Sequence, residues 1–275
     1  MVVQHNLTAA NTNRQLGITT NGLQKSTEKL SSGYKINRAA DDAAGLSISE
    51  KMRNQIRGLN KASDNAQDGI SLVQTAEGAL NEVHSMLQRM SELAVQAANG
   101  TNATTDRTAL NDEVQQLKTE IQRVGSTTQF NKMNILDGGF SAGTKKALQV
   151  GANANQTISI AISALKSVVG LSLRDDLKIS TATNAQSAIT TVQSSIEKLS
   201  TLRSKLGAVQ NRLEHTVANL DNISENTQSA ESRIRDTDMA EEMVQYSKNN
   251  ILQQAGQSML AQANQANQGV LSLLQ

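Results

Sequence analysis

Few side chains in this sequence could carry out chemistry, and they are widely spaced. The three histidines are His5, His84 and His215. His84 is followed by Ser85 and Met86 rather than by the glutamate of a His-Glu-x-x-His zinc motif. We therefore expect His84 and His215 to lie on a helix surface or at the edge of a packed face. A site that unites all three histidines through the fold stays open, although no other motif supports it.

Carboxylates and glycines give no better catalytic or binding motif. Asp41-Asp42 could be an acid–base pair, but an acidic first turn facing the positive end of a helix is the favoured interpretation. Asp64–Gly69 begins like a calcium loop, yet Ala66 and Thr75 occupy positions that need oxygen ligands. Gly138–Gly143 lacks the spacing of a nucleotide-binding loop. We expect no catalytic residues, no metal site, no cofactor and no enzyme.

Composition points to long helices. The 275 residues include no proline, cysteine or tryptophan, and only four aromatic residues. At an average usage of about 5%, roughly fourteen prolines would be expected, and their absence favours uninterrupted helix. The net charge of +1, with both signs mixed along the chain, gives no electrostatic surface for nucleic acid. No apolar run approaches the roughly 18 residues of a membrane span. Residues 1–6 have neither the basic nor the apolar part of a Sec-type signal peptide, so none is expected.

Apolar residues recur at helical spacing in two long stretches, each typical of a coiled-coil seam. A third, shorter helix is predicted after a loop at 99–106, in which Asp106 could cap it, and it should end near Gly125. The first seam contains Ile56, Leu59, Ala66, Ile70, Val73, Ala76, Leu80, Val83, Leu87, Met90, Ala94 and Ala97. The second contains Ile189, Val192, Ile196, Leu199, Leu202, Leu206, Val209, Leu213, Val217, Leu220 and Ile223.

The middle and the two ends differ from these helices. Residues 127–180 are rich in glycine, and the alternation in Thr157–Ser163 predicts a strand whose hairpin partner is Ala147–Val150. Both chain ends form weakly amphipathic helices, too polar to pack well alone, which could pack on each other or await a partner. The apolar residues predicted to serve assembly are Leu16, Leu23, Leu30, Met243, Ile251, Met259, Leu260 and Leu274.

These patterns predict a mainly α protein, a long antiparallel helical bundle or coiled coil with a small β-hairpin region and paired terminal segments. The predicted domains are a terminal helical coiled coil (1–44 with 234–275) and a helical bundle (45–233) with its β element at about 127–180. Because no catalytic centre is expected, we predict that the function depends on the surfaces of these helices. Self-assembly and scaffolding are functions of this kind.

Two blocks of sequence resemble bacterial flagellin. The N-terminal block includes Leu30–Arg38, Asp41–Leu46, Asn65–Ile70 and Thr75–Leu80, and the C-terminal block includes Leu206–Leu213, Ala230–Asp236, Ile251–Gly256 and Met259–Gln265. The resemblance covers about 1–140 and 185–275. It implies a filament subunit of the bacterial flagellum, with terminal helices paired in a filament core. It also implies export by the flagellar type III apparatus, an extracellular location, and cap, junction and export-chaperone partners.

Two departures from the family pattern carry expectations of their own. Only about 45 residues separate the blocks, so this chain is similar to short flagellins without large variable outer domains. The family commonly has a proline near the C-terminus, where this chain reads Ala266-Asn-Gln-Gly269. The terminal helix is therefore expected to bend or end differently.

Resemblance also implies a second partner, Toll-like receptor 5, an innate immune receptor. The family's contact motif is similar to Gln88–Val95, with Arg89 and Leu93 at the principal positions, Gln96 beside them and Glu113 on the next helix. Arg89, Leu93 and Gln96 are expected to form one exposed ridge beside the seam. The same ridge could instead pack against neighbouring subunits. The second arginine of the motif is Ser91 here, which removes one charged contact.

Two other functions compete with this one. A hook–filament junction protein shares the terminal helices, but the dense block matches argue against it. An enzyme carried on an outer domain is the alternative from another class, and the short, histidine-free segment 141–184 argues against that.

Overall fold

The computed structural model describes residues 6–140, 145–165 and 177–272, with side chains up to residue 265 in the last range. The described residues form five helices and two short antiparallel strand pairs, so the predicted mainly α class is confirmed. The elements are α1 (Leu7–Ser32), α2 (Ala43–Ala98), α3 (Thr104–Thr127), β1 (Gln129–Phe130), β2 (Met133–Asn134), β3 (Lys146–Gln149), β4 (Thr157–Ile160), α4 (Ala182–Arg235) and α5 (Met239–Ser272).

The chain forms two compact units. Unit 1 is Met1–Gln55 with Glu225–Gln275, and unit 2 is Ile56–Ser224. Their limits fall inside α2 and α4, where no loop or glycine run marks a boundary. The domain limits predicted at 44/45 and 233/234 lie near the ends of those two helices and stay a prediction.

In unit 1, α1 and α5 pack on each other in antiparallel orientation. Lys29 Nζ lies 3.3 Å from Glu242 Oε2, and Asn6 Nδ2 donates to the carbonyl of Ala263 at 3.0 Å. Between these ends, Gly22 faces Asn249 and Gly256 faces Leu16. The α5 positions in these four contacts are seven residues apart, which is the spacing of a coiled-coil seam. The pairing predicted for the two terminal segments is therefore confirmed.

Unit 2 has a continuous apolar core around α2 and α4. These helices are antiparallel, because Ser63 Oγ donates to Asp221 at 3.0 Å and Arg203 lies 3.5 Å from Glu77. The seam residues of α2 that are fully buried are Ala66, Val73, Ala76, Leu80, Val83, Leu87, Met90 and Ala97, and those of α4 include Val192, Leu199, Leu206 and Leu213. Burial of each large aliphatic side chain contributes about 1.5–3 kcal/mol before entropic costs. Both predicted seams are confirmed as core over most of their length, whereas Ile223, the last residue of the second seam, is exposed.

The third helix packs against α2 through a tight loop. Arg107 Nε donates to the carbonyl of Ala97 at 3.0 Å, and Asp106 accepts the backbone N–H of Ala103 at 3.0 Å. Asp106 thus lies within the first turn of α3 rather than before it. Val114 and Ile121 of α3 are buried in the same core.

The predicted β-hairpin is present with a shorter second strand. Strands β3 and β4 pair antiparallel in a register that places Ala147 opposite Ser159. Beyond Ile160 the chain leaves the hairpin, and Ile162 donates its N–H to the carbonyl of Phe140 at 2.6 Å. Ile158, Ile160 and Ile162 are buried on one face, as the alternation predicted.

Close approach of this hairpin to α2 depends on a glycine. A Cβ at Gly69 would overlap the end of the Leu148 side chain, which would then have to shift, so glycine lets this hairpin approach the helix closely. A second, very short hairpin, β1–β2, was not predicted. Its turn residues Asn131 and Lys132 have φ of 48° and 61°, which is left-handed backbone. Two-residue turns of this kind usually contain a glycine that makes them recognisable in the sequence.

The C-terminal helix continues through residues 266–269, where the resemblance predicted a bend or an end. The segment lacks the proline that would remove a helical hydrogen bond, so the helix is free to extend. Among the described residues, no helix is both long enough and apolar enough to cross a membrane.

Candidate functional site

The segment between α1 and α2 is tied to the junction of α4 and α5. Gly33 has a φ of 76°, which ends α1 and turns the chain. Lys35 donates its N–H to the carbonyl of Arg235 at 2.7 Å, and Thr237 donates to the carbonyl of Gly33 at 3.0 Å. The entrance of α5 is therefore fixed to the exit of α1 by backbone hydrogen bonds.

Tyr34 is held between two guanidinium groups in this segment. Arg53 and Arg235 lie 5.5 Å and 4.6 Å from its ring centroid, within the range of cation–π attraction. Arg53 also donates to the Tyr34 hydroxyl at 3.0 Å. Glu50 accepts from Arg235 at 2.9 Å, and Glu231 lies 3.4 Å from Arg53. The two guanidinium groups and the two carboxylates leave no net charge. We therefore interpret this cluster as one that stabilises the structure of unit 1.

The adjacent carboxylates of Asp41 and Asp42 separate into two structural roles. Asp42 accepts the N–H of Gly45 at 2.9 Å and caps the start of α2, so it faces the positive end of that helix as predicted, although it precedes the first turn rather than lying in it. Asp41 turns back instead and accepts the N–H of Arg38 at 3.0 Å. That hydrogen bond lowers the pKa of Asp41 below its usual value.

One surface of α5 is apolar and exposed. We define the outer face of α5 as Met243, Val244, Ile251, Leu252 and Met259, all of which are exposed. The first four of these residues line an open groove together with Ser247 and Lys248. Val244 and Ile251 are seven residues apart. Each lies two positions after an α5 residue that contacts α1 (Glu242 and Asn249), which is about 200° around the helix. Leu252 and Met259 are likewise one heptad apart but lie nearer to the α1 side, so the exposed apolar residues recur with a seven-residue period without the alternating three- and four-residue steps of a full seam.

The residues predicted to serve assembly divide between two surfaces. Leu16, Leu23 and Leu30 of α1 are half-buried, as is Leu260 of α5. Met243, Ile251 and Met259 are 51%, 67% and 59% exposed on the outer face. Leu274 lies outside the described residues. Sequence analysis missed Val244 and Leu252, although their seven-residue offsets from Ile251 and Met259 were a readable signal.

A second candidate surface lies on unit 2, around Arg89. Its Nε donates to Glu113 Oε1 of α3 at 2.9 Å, and its Nη1 donates to Glu92 at 3.2 Å. The hydrogen bond that Arg89 donates to Glu113 is the main cause of a raised pKa for Arg89. The fold thus brings together Arg89 and Glu113, which the sequence analysis had grouped by resemblance. Both partners are about half exposed, so water screens the ion pair and its contribution to stability is small.

The expected exposed ridge of Arg89, Leu93 and Gln96 is wrong at Leu93. Leu93 is 0% exposed and belongs to the core of unit 2. The buried face of α2 is wider than a two-position seam, because neighbouring residues such as Leu93 and Ala94 are both covered. Helix α2 contacts packing partners on two sides. A prediction based on a single seam therefore gives too few buried residues.

The exposed part of this surface is a shallow groove between α2 and α4. Its lining residues are Gln88, Ser91, Glu92, Val95, Gln96 and Ile196. Val95 is 56% exposed and is the apolar side chain that the surface presents in place of Leu93. Ser91 is half-buried at the position of the motif's second arginine.

The histidines are not brought together where the structure describes them. His84 Nε2 lies 3.1 Å from Gln88 Nε2 on the same helix, and His215 is exposed on α4. His5 lies outside the described residues. In the described ranges, no group of three or more histidine, aspartate or glutamate side chains is arranged to hold a metal ion.

A paired set of terminal helices with an uncovered apolar face, together with a helical bundle, is typical of structural proteins that assemble with their own copies. Comparisons with known proteins agree with this class. Residues 3–141 match the bacterial flagellin N-terminal helical region, and residues 189–274 match the bacterial flagellin C-terminal helical region. The chain belongs to the bacterial flagellin family, whose members are subunits of the flagellar filament.

Full-length relatives support the same assignment. The chain is 58% identical over 275 residues to a flagellin of Halalkalibacterium halodurans, with all of both chains covered. It is 48% identical over 286 residues to a flagellar filament core protein of Treponema maltophilum and 48% identical over 303 residues to a flagellin of Bacillus subtilis, again with all of both chains covered. These relatives place the protein in the bacterial flagellum as a structural component of motility.

Solved structures agree in fold. The crystal structure of Bacillus cereus flagellin superposes with a TM-score of 0.51 at 32% identity, covering 57% of this chain and 88% of that chain. A flagellar hook-associated protein from Vibrio parahaemolyticus superposes with a TM-score of 0.62 at 12% identity, covering 71% of this chain and 100% of that chain. At so low an identity, the second match shows a shared fold alone.

Proposed function

We propose that this chain is exported by the flagellar type III apparatus and polymerises into the extracellular motility filament by burying the outer face of α5 against further copies of itself. The observation that carries this proposal is the row of exposed Val244, Ile251, Leu252 and Met259. Water-exposed apolar side chains at coiled-coil spacing favour a further helix as their cover. The filament-forming family supplies the identity of that helix, a second copy.

Energetics favour assembly through this face. These side chains are about half to two-thirds exposed in the monomer, so each would contribute roughly that fraction of the about 1.5–3 kcal/mol of full burial, before the entropy of ordering is subtracted. The gain recurs for every added subunit. Within one chain, by contrast, α1 has only Ser26 fully buried, so its pairing with α5 rests on few apolar contacts. We propose that assembly completes the packing of this helix pair.

The remaining partners follow from the same role. An exported subunit that polymerises at a growing end requires an export chaperone, a cap under which it adds, and junction proteins at the base of the filament. We propose these three classes of partner, and we propose that the chain has no catalytic activity of its own. The support is family membership and the structural roles found for its charged clusters.

Export and assembly can be tested together in cells that lack their own flagellin. We expect the chain to appear in the medium and in filaments visible by electron microscopy, and mass spectrometry of sheared filaments should identify it. In cells whose export apparatus is inactivated, the chain should stay inside. Cells with a working apparatus that retain the chain, or secrete it without forming filaments, would contradict the proposal.

We propose a second function for the surface around Arg89, binding of Toll-like receptor 5. The supporting observation is an exposed arginine that Glu113 and Glu92 hold in a fixed orientation, next to exposed Val95 and Gln96. A pre-oriented arginine loses little entropy on binding and is a frequent interface anchor. In this proposal Leu93 supports the surface from beneath, since its side chain is buried.

A matched pair of variants tests receptor binding. Arg89→Ala should weaken binding to the purified receptor ectodomain by about tenfold or more, which corresponds to about 1.4 kcal/mol. Arg123→Ala is the control, because Arg123 forms a comparable exposed ion pair with Glu120 on α3. Equal affinity for wild type, Arg89→Ala and Arg123→Ala in a titration would exclude this surface as the receptor site.

A further inference from the structure

We propose that Met243 and Met259 are oxidation sites, and that their conversion to methionine sulfoxide by a peroxide blocks subunit addition without unfolding the chain. The inference rests on the proposed assembly through the outer face of α5. It adds a chemical modification and a class of reagent that act on that face.

Exposure singles out these two methionines within the face. Met243 and Met259 are 51% and 59% exposed, whereas Met90 in the core of unit 2 is 0% exposed. Susceptibility of a thioether to oxidation follows its accessibility. Met133 of β2, at 42%, and Met239, at 48% at the first residue of α5, are also exposed, but neither lines the groove formed by Met243, Val244, Ile251 and Leu252. The chain therefore contains an internal control for oxidation that should leave the assembly face untouched.

The reaction is a simple oxygen transfer. A lone pair on the methionine Sδ attacks one oxygen of hydrogen peroxide, so an S–O bond forms as the O–O bond breaks. The departing hydroxide takes up the proton of the transferred hydroxyl group, which gives one water and one sulfoxide. Sulfur is oxidised by two electrons and the peroxide is reduced by two.

The sulfoxide changes the outer face in a way that matters for burial. Met243 lines the groove with Val244, Ile251 and Leu252, and Met259 continues the row one heptad beyond Leu252. A sulfoxide oxygen is a strong hydrogen-bond acceptor, and burying it without a donor is unfavourable. In the monomer both side chains remain in water, so the modification costs little there.

The selectivity for assembly follows from the position of the α1 seam. Contacts from α5 to α1 include those of Glu242, Asn249, Gly256 and Ala263. Neither Met243 nor Met259 takes part in these contacts. Oxidation should therefore leave the α1–α5 pair folded and change only the surface offered to the next subunit.

The experiment uses the full-length monomer, hydrogen peroxide, and short fragments of unoxidised filament as seeds. Peptide mapping should find sulfoxide at Met243, Met259, Met239 and Met133 well before Met90. The oxidised monomer should elongate seeds at least about tenfold more slowly, with an unchanged circular dichroism spectrum. Treatment with both stereospecific methionine sulfoxide reductases should restore elongation.

Two variants assign the effect to the named residues. The double variant Met243→Leu with Met259→Leu keeps the apolar face and cannot be oxidised there, so it should elongate seeds after peroxide treatment. Met133→Leu and Met239→Leu, which keep both methionines of the outer face, should each still lose elongation after peroxide treatment. If the double variant fails to assemble before treatment, reductase rescue of the wild-type chain decides the matter.

The outcomes separate this inference from the proposed function. Untreated monomer that fails to elongate seeds would contradict assembly itself. Untreated monomer that elongates, together with a fully oxidised monomer that elongates equally well, would overturn the oxidation inference alone. Loss of elongation that the reductases do not reverse would also overturn it.

Discussion

Leu16 of α1 lies directly over Gly256 of α5, with its Cδ1 3.3 Å from the position that a Cβ at residue 256 would occupy. The next contact along the pair has the same character, because Gly22 faces Asn249. Small and polar residues at these positions let two weakly apolar helices approach closely. The helix pair therefore depends on close backbone packing more than on a wide apolar stripe.

Replacement of Gly256 by valine should loosen the α1–α5 pair. The added side chain must displace Leu16, and overpacking of this kind costs typically about 1–3 kcal/mol. Hydrogen exchange of the amides in α1 and α5 should accelerate by about tenfold or more, while α2–α4 amides keep their protection. Gly17→Val is the matched control, since nothing lies within 4 Å of a Cβ there and valine has the better helix propensity. Equal exchange in the two variants would refute the packing role of Gly256.

Replacement of Leu93 by alanine should destabilise unit 2 rather than remove an exposed contact. A fully buried leucine truncated to alanine costs about 2–5 kcal/mol in the free energy of unfolding. Val95→Ala, two residues away and exposed, should stay within about 0.5 kcal/mol. Denaturant unfolding followed by circular dichroism measures both. A Leu93→Ala protein as stable as wild type would mean that Leu93 is not a core residue.

Acid should weaken the turn between α1 and α2 through Asp41. Its pKa is lowered in the folded chain, chiefly by the hydrogen bond from the N–H of Arg38. The stabilisation is therefore fully present above the usual pKa near 3.8 and is lost as the pH falls through the lower, folded-state value. An NMR titration of the Asp41 carboxyl should give a midpoint below 3.8. In Asp41→Asn the acid-dependent exchange of the Arg38 amide should disappear, and its persistence would point to another group.

The sequence was sufficient to predict the helices and strands in which apolar residues recur at a regular spacing. Long heptad rows such as Leu80, Leu87 and Leu199, Leu206 predicted α2 and α4, and the alternation of Ile158 and Ile160 predicted the main hairpin. Each of these signals repeats, so single exceptions do not hide it. The same logic recovered the pairing of the chain ends, because neither end could bury its apolar side chains alone.

Features that depend on tertiary packing were harder to predict. The burial of Leu93 follows from helices packed on two sides of α2, which a one-dimensional seam does not reveal. The turn at Asn131 and Lys132 carries no glycine, so its left-handed conformation had no clear sequence signal. The limits of the two units fall within continuous helices, where composition does not change.

Assembly through the outer face of α5 is tested most directly by one substitution in that face. Ile251→Asn should leave the monomer folded, with an unchanged circular dichroism spectrum, because Ile251 is 67% exposed and takes no part in the α1 seam. Gln254→Asn is the control, an exposed polar change on the same helix with a similar loss of helix propensity.

The decisive measurement is the rate at which each purified monomer elongates filament seeds, followed by light scattering and electron microscopy. Filament assembly through this face predicts normal elongation by wild type and Gln254→Asn, and elongation by Ile251→Asn reduced by about tenfold or more. Ile251→Asn monomers that elongate seeds as fast as the wild-type chain would contradict it.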